Sequence, residues 1–141
     1  SLDSRSVRQR QVNPRKVYPI DTGLARAFRH GVDMDRGRLL ETLVFLDLRR
    51  RGMQIAYFRS AQGFEVDFLA RSADGEPQAI QVAETIADAN TRQRELRALE
   101  AAMAERKLAR GTLVTLDEEE RIDTANGPIE VVPAWRWLLR E

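Results

Sequence analysis

The amino-acid sequence predicts an α/β domain in the order αβββαβ, with a mixed central sheet flanked by helices. Three observations predict it. Gly37 to Arg51 has helical spacing, is apolar on most of its circumference and is closed by Gly52. Three short β-rich runs follow: Ile55–Phe58, Gly63–Ala70 and Gln78–Glu84. A second helical stretch, Asn90–Arg110, then leads to Thr112–Leu116, so the last strand is reached through a crossover and should lie parallel to the one before.

The first helix ends in Arg49, Arg50 and Arg51, where cations favour the negative end of the helix dipole. Leu40, Val44, Phe45 and Leu48 share one side, and Glu41 falls among them. A carboxylate in an apolar stripe needs a partner, an ion or a wet cleft, unless it curls out to solvent near the helix start. In the hairpin, Arg71–Pro77 is the turn. Strict alternation puts Glu65 and Asp67 on one face of the first strand, opposite Phe64, Val66 and Phe68. In the second strand Gln81 and Ala83 share a face, with Ile80, Val82 and Glu84 behind them. One side of the hairpin therefore reads as a polar site.

In the second helix Asn90 is the expected cap, Leu96, Leu99 and Met103 the core stripe, and Gly111 the stop. Asp117–Glu120 reads as a solvated acidic loop. Arg121–Thr124 and Ile129–Val132 flank the turn signal Ala125–Pro128 and predict a small hairpin or irregular return. A short helix led by Pro133 closes the chain, with Trp135, Trp137, Leu138 and Leu139 expected to seal the core and a dimer face as the alternative.

Ahead of this core, residues 1–12 read as a flexible linker from a missing N-terminal region, and 13–141 as the folded domain. Asn13–Ile20 carries Pro14 and Pro19 and suits an edge segment. Asp21–His30 reads as a short helix stopped by Gly31, with His30 at the dipole's negative end.

Composition narrows the function classes. The 141 residues hold no Cys and one His, which excludes disulfides, thiolate metal sites, a cysteine nucleophile and a His-rich metal centre. The 23 basic and 22 acidic side chains give a net charge of +1, so no global field favours nucleic acid, although Arg5, Arg8, Arg10, Arg15 and Lys16 form a basic arm. No stretch approaches the length of a membrane span, no signal-peptide pattern opens the chain, and no phosphate-binding Gly-x-x-x-x-Gly-Lys-Ser/Thr motif is present. A cytoplasmic location is expected.

A helix bearing Glu41, then Glu65-Val-Asp67 on one strand and a polar position on the next, is the layout of a Mg²⁺-dependent phosphodiesterase site. The blocks Asn13–Leu24, Gly37–Phe45, Glu65–Phe68, Ile80–Val82, Thr91–Leu96 and Val132–Leu139, in this order, resemble the C-terminal domain of unknown function of prokaryotic AAA-type ATPases, a member of the PD-(D/E)xK restriction-nuclease-like superfamily. The resemblance implies a restriction-endonuclease-like core. It places the superfamily's helix glutamate at Glu41, its strand aspartate at Asp67 and its E-x-K pair at Gln81 and Ala83.

The last two depart from the motif. Gln81 lacks the negative charge that Mg²⁺ favours, and Ala83 has no group to activate water or stabilise charge. A cation on the following helix, Arg92 or Arg94, could stand in, but a guanidinium stays protonated and is a poor base. The resemblance thus implies a catalytically degenerate accessory domain of a cytoplasmic AAA-type ATPase, leaning away from an enzyme. It implies the N-terminal ATPase domain of the same chain as partner, with nucleic acid or a second copy as further partners, no membrane, and no cofactor in this fragment. The alternatives are a weak Mg²⁺-dependent DNA nuclease with Glu41, Asp67 and Gln81 as catalytic and metal-binding residues, and a non-cleaving DNA-binding module.

Overall fold

The computed structural model describes residues 35–141. The expected linker 1–12, the edge segment Asn13–Ile20, the helix Asp21–His30 and the basic arm lie outside the described residues. Helix α1 (Arg36–Arg50) starts where the Asp35 side chain accepts the Arg38 N–H at 3.2 Å. It stops at Gly52, whose φ of +70° lets its N–H reach Arg49 O while the Met53 N–H reaches Leu48 O, a Schellman closure.

Strands β1 (Gln54–Arg59), β2 (Glu65–Arg71) and β3 (Gln78–Val82) form an antiparallel meander. Helix α2 (Ala89–Arg106) crosses to β4 (Gly111–Thr115), which pairs parallel with β3 as the crossover requires. Strands β5 (Glu120–Thr124) and β6 (Gly127–Pro133) make the expected hairpin, β6 pairs parallel with β4, and α3 (Ala134–Leu138) ends the fold. The six-stranded sheet has the order β1-β2-β3-β4-β6-β5. The αβββαβ order and the mixed, helix-flanked sheet are as expected.

The sheet carries a core on each face. On one, Leu40, Val44, Phe45 and Leu48 of α1 and Trp137 of α3 pack on Phe68, Ala70, Ile80 and Val114. On the other, Leu99, Ala102 and Met103 of α2 pack on Phe58, Val66, Leu69, Ala79 and Leu113. Each fully buried Val, Leu, Ile, Phe or Met side chain among them contributes about 1.5–3 kcal/mol.

Several details differ from the sequence-based expectation. Asp88, not Asn90, caps α2, accepting the Thr91 N–H at 2.9 Å; a carboxylate two residues upstream outcompetes the amide. The helix stops at Lys107 in the left-handed conformation, with the Leu108 N–H on Met103 O, and Gly111 belongs to β4. A side chain at Gly111 would press on Met103 Sδ at 3.2 Å, so this glycine serves helix–strand packing, not helix termination. Glu120 begins β5 instead of ending a loop. Trp137 seals the core, whereas Trp135 and Leu139 are 62% and 76% exposed, because a five-residue helix can turn only one face inward.

The C-terminal segment is fastened to α1 through Asp47, 4% exposed. Its carboxylate accepts from Arg50 Nη2, Arg51 Nε and Arg140 Nη1, each at 2.9 Å. Arg51 Nη2 donates to Arg140 O at 2.6 Å, and the Arg140 guanidinium lies 3.5 Å from the Trp137 ring centroid.

Candidate functional site

The polar side of the hairpin exists, but a bulge shapes it. Ala56 faces Leu69 and Phe58 faces Val66, so β2 carries one residue more than β1 across this interval, at Asp67-Phe68. The extra residue breaks the alternation expected of β2. Val66 joins the α2-side core and Phe68 the α1-side core, so they do not share a face.

Next to the bulge the β2–β3 ladder stops, its last pair being Phe68 and Ile80. Beyond it two side chains replace backbone pairing. The Gln81 amide accepts the Asp67 N–H on Oε1 at 2.7 Å and donates from Nε2 to Glu65 O at 3.0 Å. Asp67 Oδ2 accepts the Val82 N–H at 2.9 Å. Strand β3 meanwhile continues toward β4, with the Ala83 N–H on Val114 O at 3.0 Å. The two strands fork, and the fork is held by Gln81 and Asp67.

A cleft of about 490 Å³ opens at this fork, lined by Glu65, Asp67, Gln81, Arg94 and Glu95, with apolar contributions from Phe64, Val82 and Ala98. Asp67 and Gln81 are therefore brought together at the fork. Glu41 is buried on α1, 9% exposed, and is not among the residues lining this cleft. Ala83 packs against the α2-side core. Arg92 is held away by a bidentate pair with Glu120 at 2.6 and 2.8 Å, whereas Arg94 lines the cleft.

Glu95 is the site residue that sequence reasoning missed. It lies on α2 one residue before Leu96, is 9% exposed, and takes Arg94 Nε at 3.3 Å. Burial, then the neighbouring Asp67 charge, push its carboxyl above the ordinary glutamate range, against Arg94 and a hydrogen bond with Gln81. The signal for it was its position four residues before Leu99, on the inward side of α2. Among the described residues no group of three or more His, Cys, Asp or Glu side chains is placed to hold a metal ion. Among them also, no helix is long and apolar enough to cross a membrane.

A family model described as a domain of unknown function (DUF4143) matches residues 36–137, which span α1 through most of α3. The uncharacterized protein MJ1544 of Methanocaldococcus jannaschii is 35% identical over 147 aligned positions, covering 98% of this chain and 32% of the archaeal protein. The chain thus spans about a third of that relative's length. No solved structure matches. With the match running across both helices that flank the sheet and the strands between them, the chain belongs to the DUF4143 family.

Proposed function

We propose that this chain is a catalytically degenerate nuclease-fold domain that serves as an accessory module of a cytoplasmic AAA-type ATPase and engages protein or nucleic acid. The observation that carries the degenerate reading is the Gln81 amide. Both of its ends are spent on the β2 backbone, donating to Glu65 O and accepting from the Asp67 N–H. A glutamate, ionised, cannot make the donating bond, so this position is built for an amide.

The metal chemistry of a nuclease does not fit these donors. Mg²⁺ wants several uncommitted oxygens in near-octahedral array. Asp67 Oδ2 and Gln81 Oε1 are engaged with backbone N–H groups, and the residue at the position for an activating lysine is Ala83, packed on the core. The accessory-module reading draws support from the archaeal relative, which is about three times longer than its match to this chain.

Incubating the chain with plasmid and single-stranded DNA in Mg²⁺ or Mn²⁺ tests the first part. No cleavage above that of an Asp67→Ala control is expected; cleavage abolished by Asp67→Ala would establish a working nuclease instead. For the second part, the domain is deleted from a full-length ATPase that carries it. Loss of ATPase regulation or of a bound partner is expected, and unchanged activity and partners would refute the accessory role.

A further inference from the structure

The network around Asp47 is more than a fastening. Three guanidiniums, of Arg50, Arg51 and Arg140, converge on one buried carboxylate, leaving a net charge of +2 in the hydrogen-bonded group. Two of them are fixed in place: Arg51 by its bonds to Asp47 and Arg140 O, Arg140 by Asp47, Trp137 O and the Trp137 ring. Arg50, whose side chain is 71% exposed, commits only Nη2 to Asp47, and Arg140 commits only Nη1 to Asp47 and Trp137 O. Arg49 adds a further guanidinium beside them, 5.8 Å from the Phe45 ring centroid. The acidic neighbours are Glu141, exposed next to Arg140, and Glu119, which pairs with Arg136 on α3. Pre-oriented guanidiniums with spare N–H groups match phosphate oxygens at little entropic cost.

A second, independent observation lies on the short helix that carries Trp137. Trp135 is 62% exposed and Leu139 76%, an apolar pair on the segment that runs into Arg140. Burial does not account for them, and an exposed indole on the same short C-terminal segment as the fixed Arg140 offers the stacking face that single-stranded nucleic acids use along a cationic track.

We propose that the C-terminal end of α1 and helix α3 form a single-stranded nucleic-acid contact surface. Arg49, Arg50, Arg51 and Arg140 meet the phosphates and Trp135 stacks a base. This surface is separate from the cleft at Asp67 and Gln81, and it stands whether or not that site ever cut.

The test uses the 141-residue chain and a fluorescein-labelled oligothymidylate of about 16 nucleotides, with binding followed by anisotropy across about 50–200 mM salt. Affinity that falls steeply with salt is expected, together with a loss of tenfold or more in Arg49→Glu/Arg50→Glu and of about tenfold in Trp135→Ala. Both substitutions sit at exposed positions, and circular dichroism checks that they fold. Arg36→Glu, an exposed charge reversal at the other end of α1, should cost at most a few-fold. No binding at the lowest salt would overturn the proposal, as would equal losses in Arg36→Glu and Arg49→Glu/Arg50→Glu. Unchanged affinity in Trp135→Ala, with inorganic polyphosphate competing as well as the oligonucleotide, would overturn it by reducing the surface to an unspecific cation patch.

Discussion

Gln81 and Asp67 bridge the β2–β3 fork from its two sides. The Gln81 side chain accepts the Asp67 N–H at 2.7 Å, and the Asp67 side chain accepts the N–H of Val82 at 2.9 Å. Each side chain thus serves the backbone of the other's strand. Where the bulge at Asp67 ends regular pairing, these two polar side chains act as ladder rungs.

Gln81→Glu should therefore destabilise the fold. The variant keeps the acceptor for the Asp67 N–H, loses the donor to Glu65 O, and sets a third carboxylate near Asp67 and Glu95. A loss of about 1–3 kcal/mol at pH 7 is expected from equilibrium urea unfolding, the cost of one unmet buried hydrogen bond. Near pH 4 the protonated carboxyl of that variant can donate again, and the deficit should shrink. A deficit independent of pH would show that packing, not the missing donor, is responsible.

The Asp47 network predicts a different pH response. Burial pushes the Asp47 carboxyl up, but the bonds from Arg140, Arg50 and Arg51 outweigh it and hold it below the ordinary aspartate value of 3.8. The unfolded chain then takes up this proton first as pH falls. The stabilisation is complete above about pH 4 and is lost as pH drops through the lower folded value. Asp47→Asn should remove that acid-side slope and cost about 2–4 kcal/mol at pH 7, because the guanidiniums lose their shared counter-charge. Urea unfolding of both proteins between pH 2 and 7, the span over which native carboxylates protonate, measures both effects.

The fold was legible where local chemistry was strong. The apolar stripe of α1 with Gly52 behind it, the antiparallel hairpin, and the parallel crossover through α2 each follow from period and stop signals that the structure keeps. What was not legible depends on long-range geometry. Period-2 reasoning on Glu65–Phe68 cannot register a bulge that exists only against Phe58 and Ala56 of the neighbouring strand. The burial of Glu95 depends on the fork below α2, so a glutamate on a charged helix gave little sign of it. Trp135 and Trp137 look alike in sequence, and only the docking angle of a five-residue helix separates the exposed one from the buried one.

Glu95 supplies the opposite sign from Asp47. Its carboxyl is raised above the ordinary value of 4.5 by burial and by the Asp67 charge, so the folded chain holds this proton more tightly than the unfolded one. Stability should fall as pH climbs from about 4.5 to the raised folded value and stay level beyond it. Glu95→Gln removes the charge while keeping the shape, so this variant should be the more stable one at pH 7 and should lose the decline. Thermal unfolding of both proteins from pH 4 to 8, across the range in which a raised carboxyl titrates, checks it; a less stable variant at pH 7 would mean that the Arg94 and Gln81 contacts outweigh the desolvation.

Two glycines separate backbone strain from steric collision. Gly52 has φ +70°, and a Cβ there would meet nothing within 4 Å. Gly52→Ala should cost about 1 kcal/mol, the penalty of a left-handed alanine. Gly127 has φ +125° at the start of β6, and a Cβ there would stand 2.1 Å from Ala109 O, a backbone atom in the segment between α2 and β4. That atom cannot turn aside as a side chain can. Gly127→Ala must therefore move either the β5–β6 turn or the entry to β4, which pairs with β6 through Gly111 and Ile129. A loss of about 2–4 kcal/mol is expected, well beyond that of Gly52→Ala. Parallel urea titrations of the two variants measure the difference, and equal losses would show that conformational strain alone sets the cost at both positions.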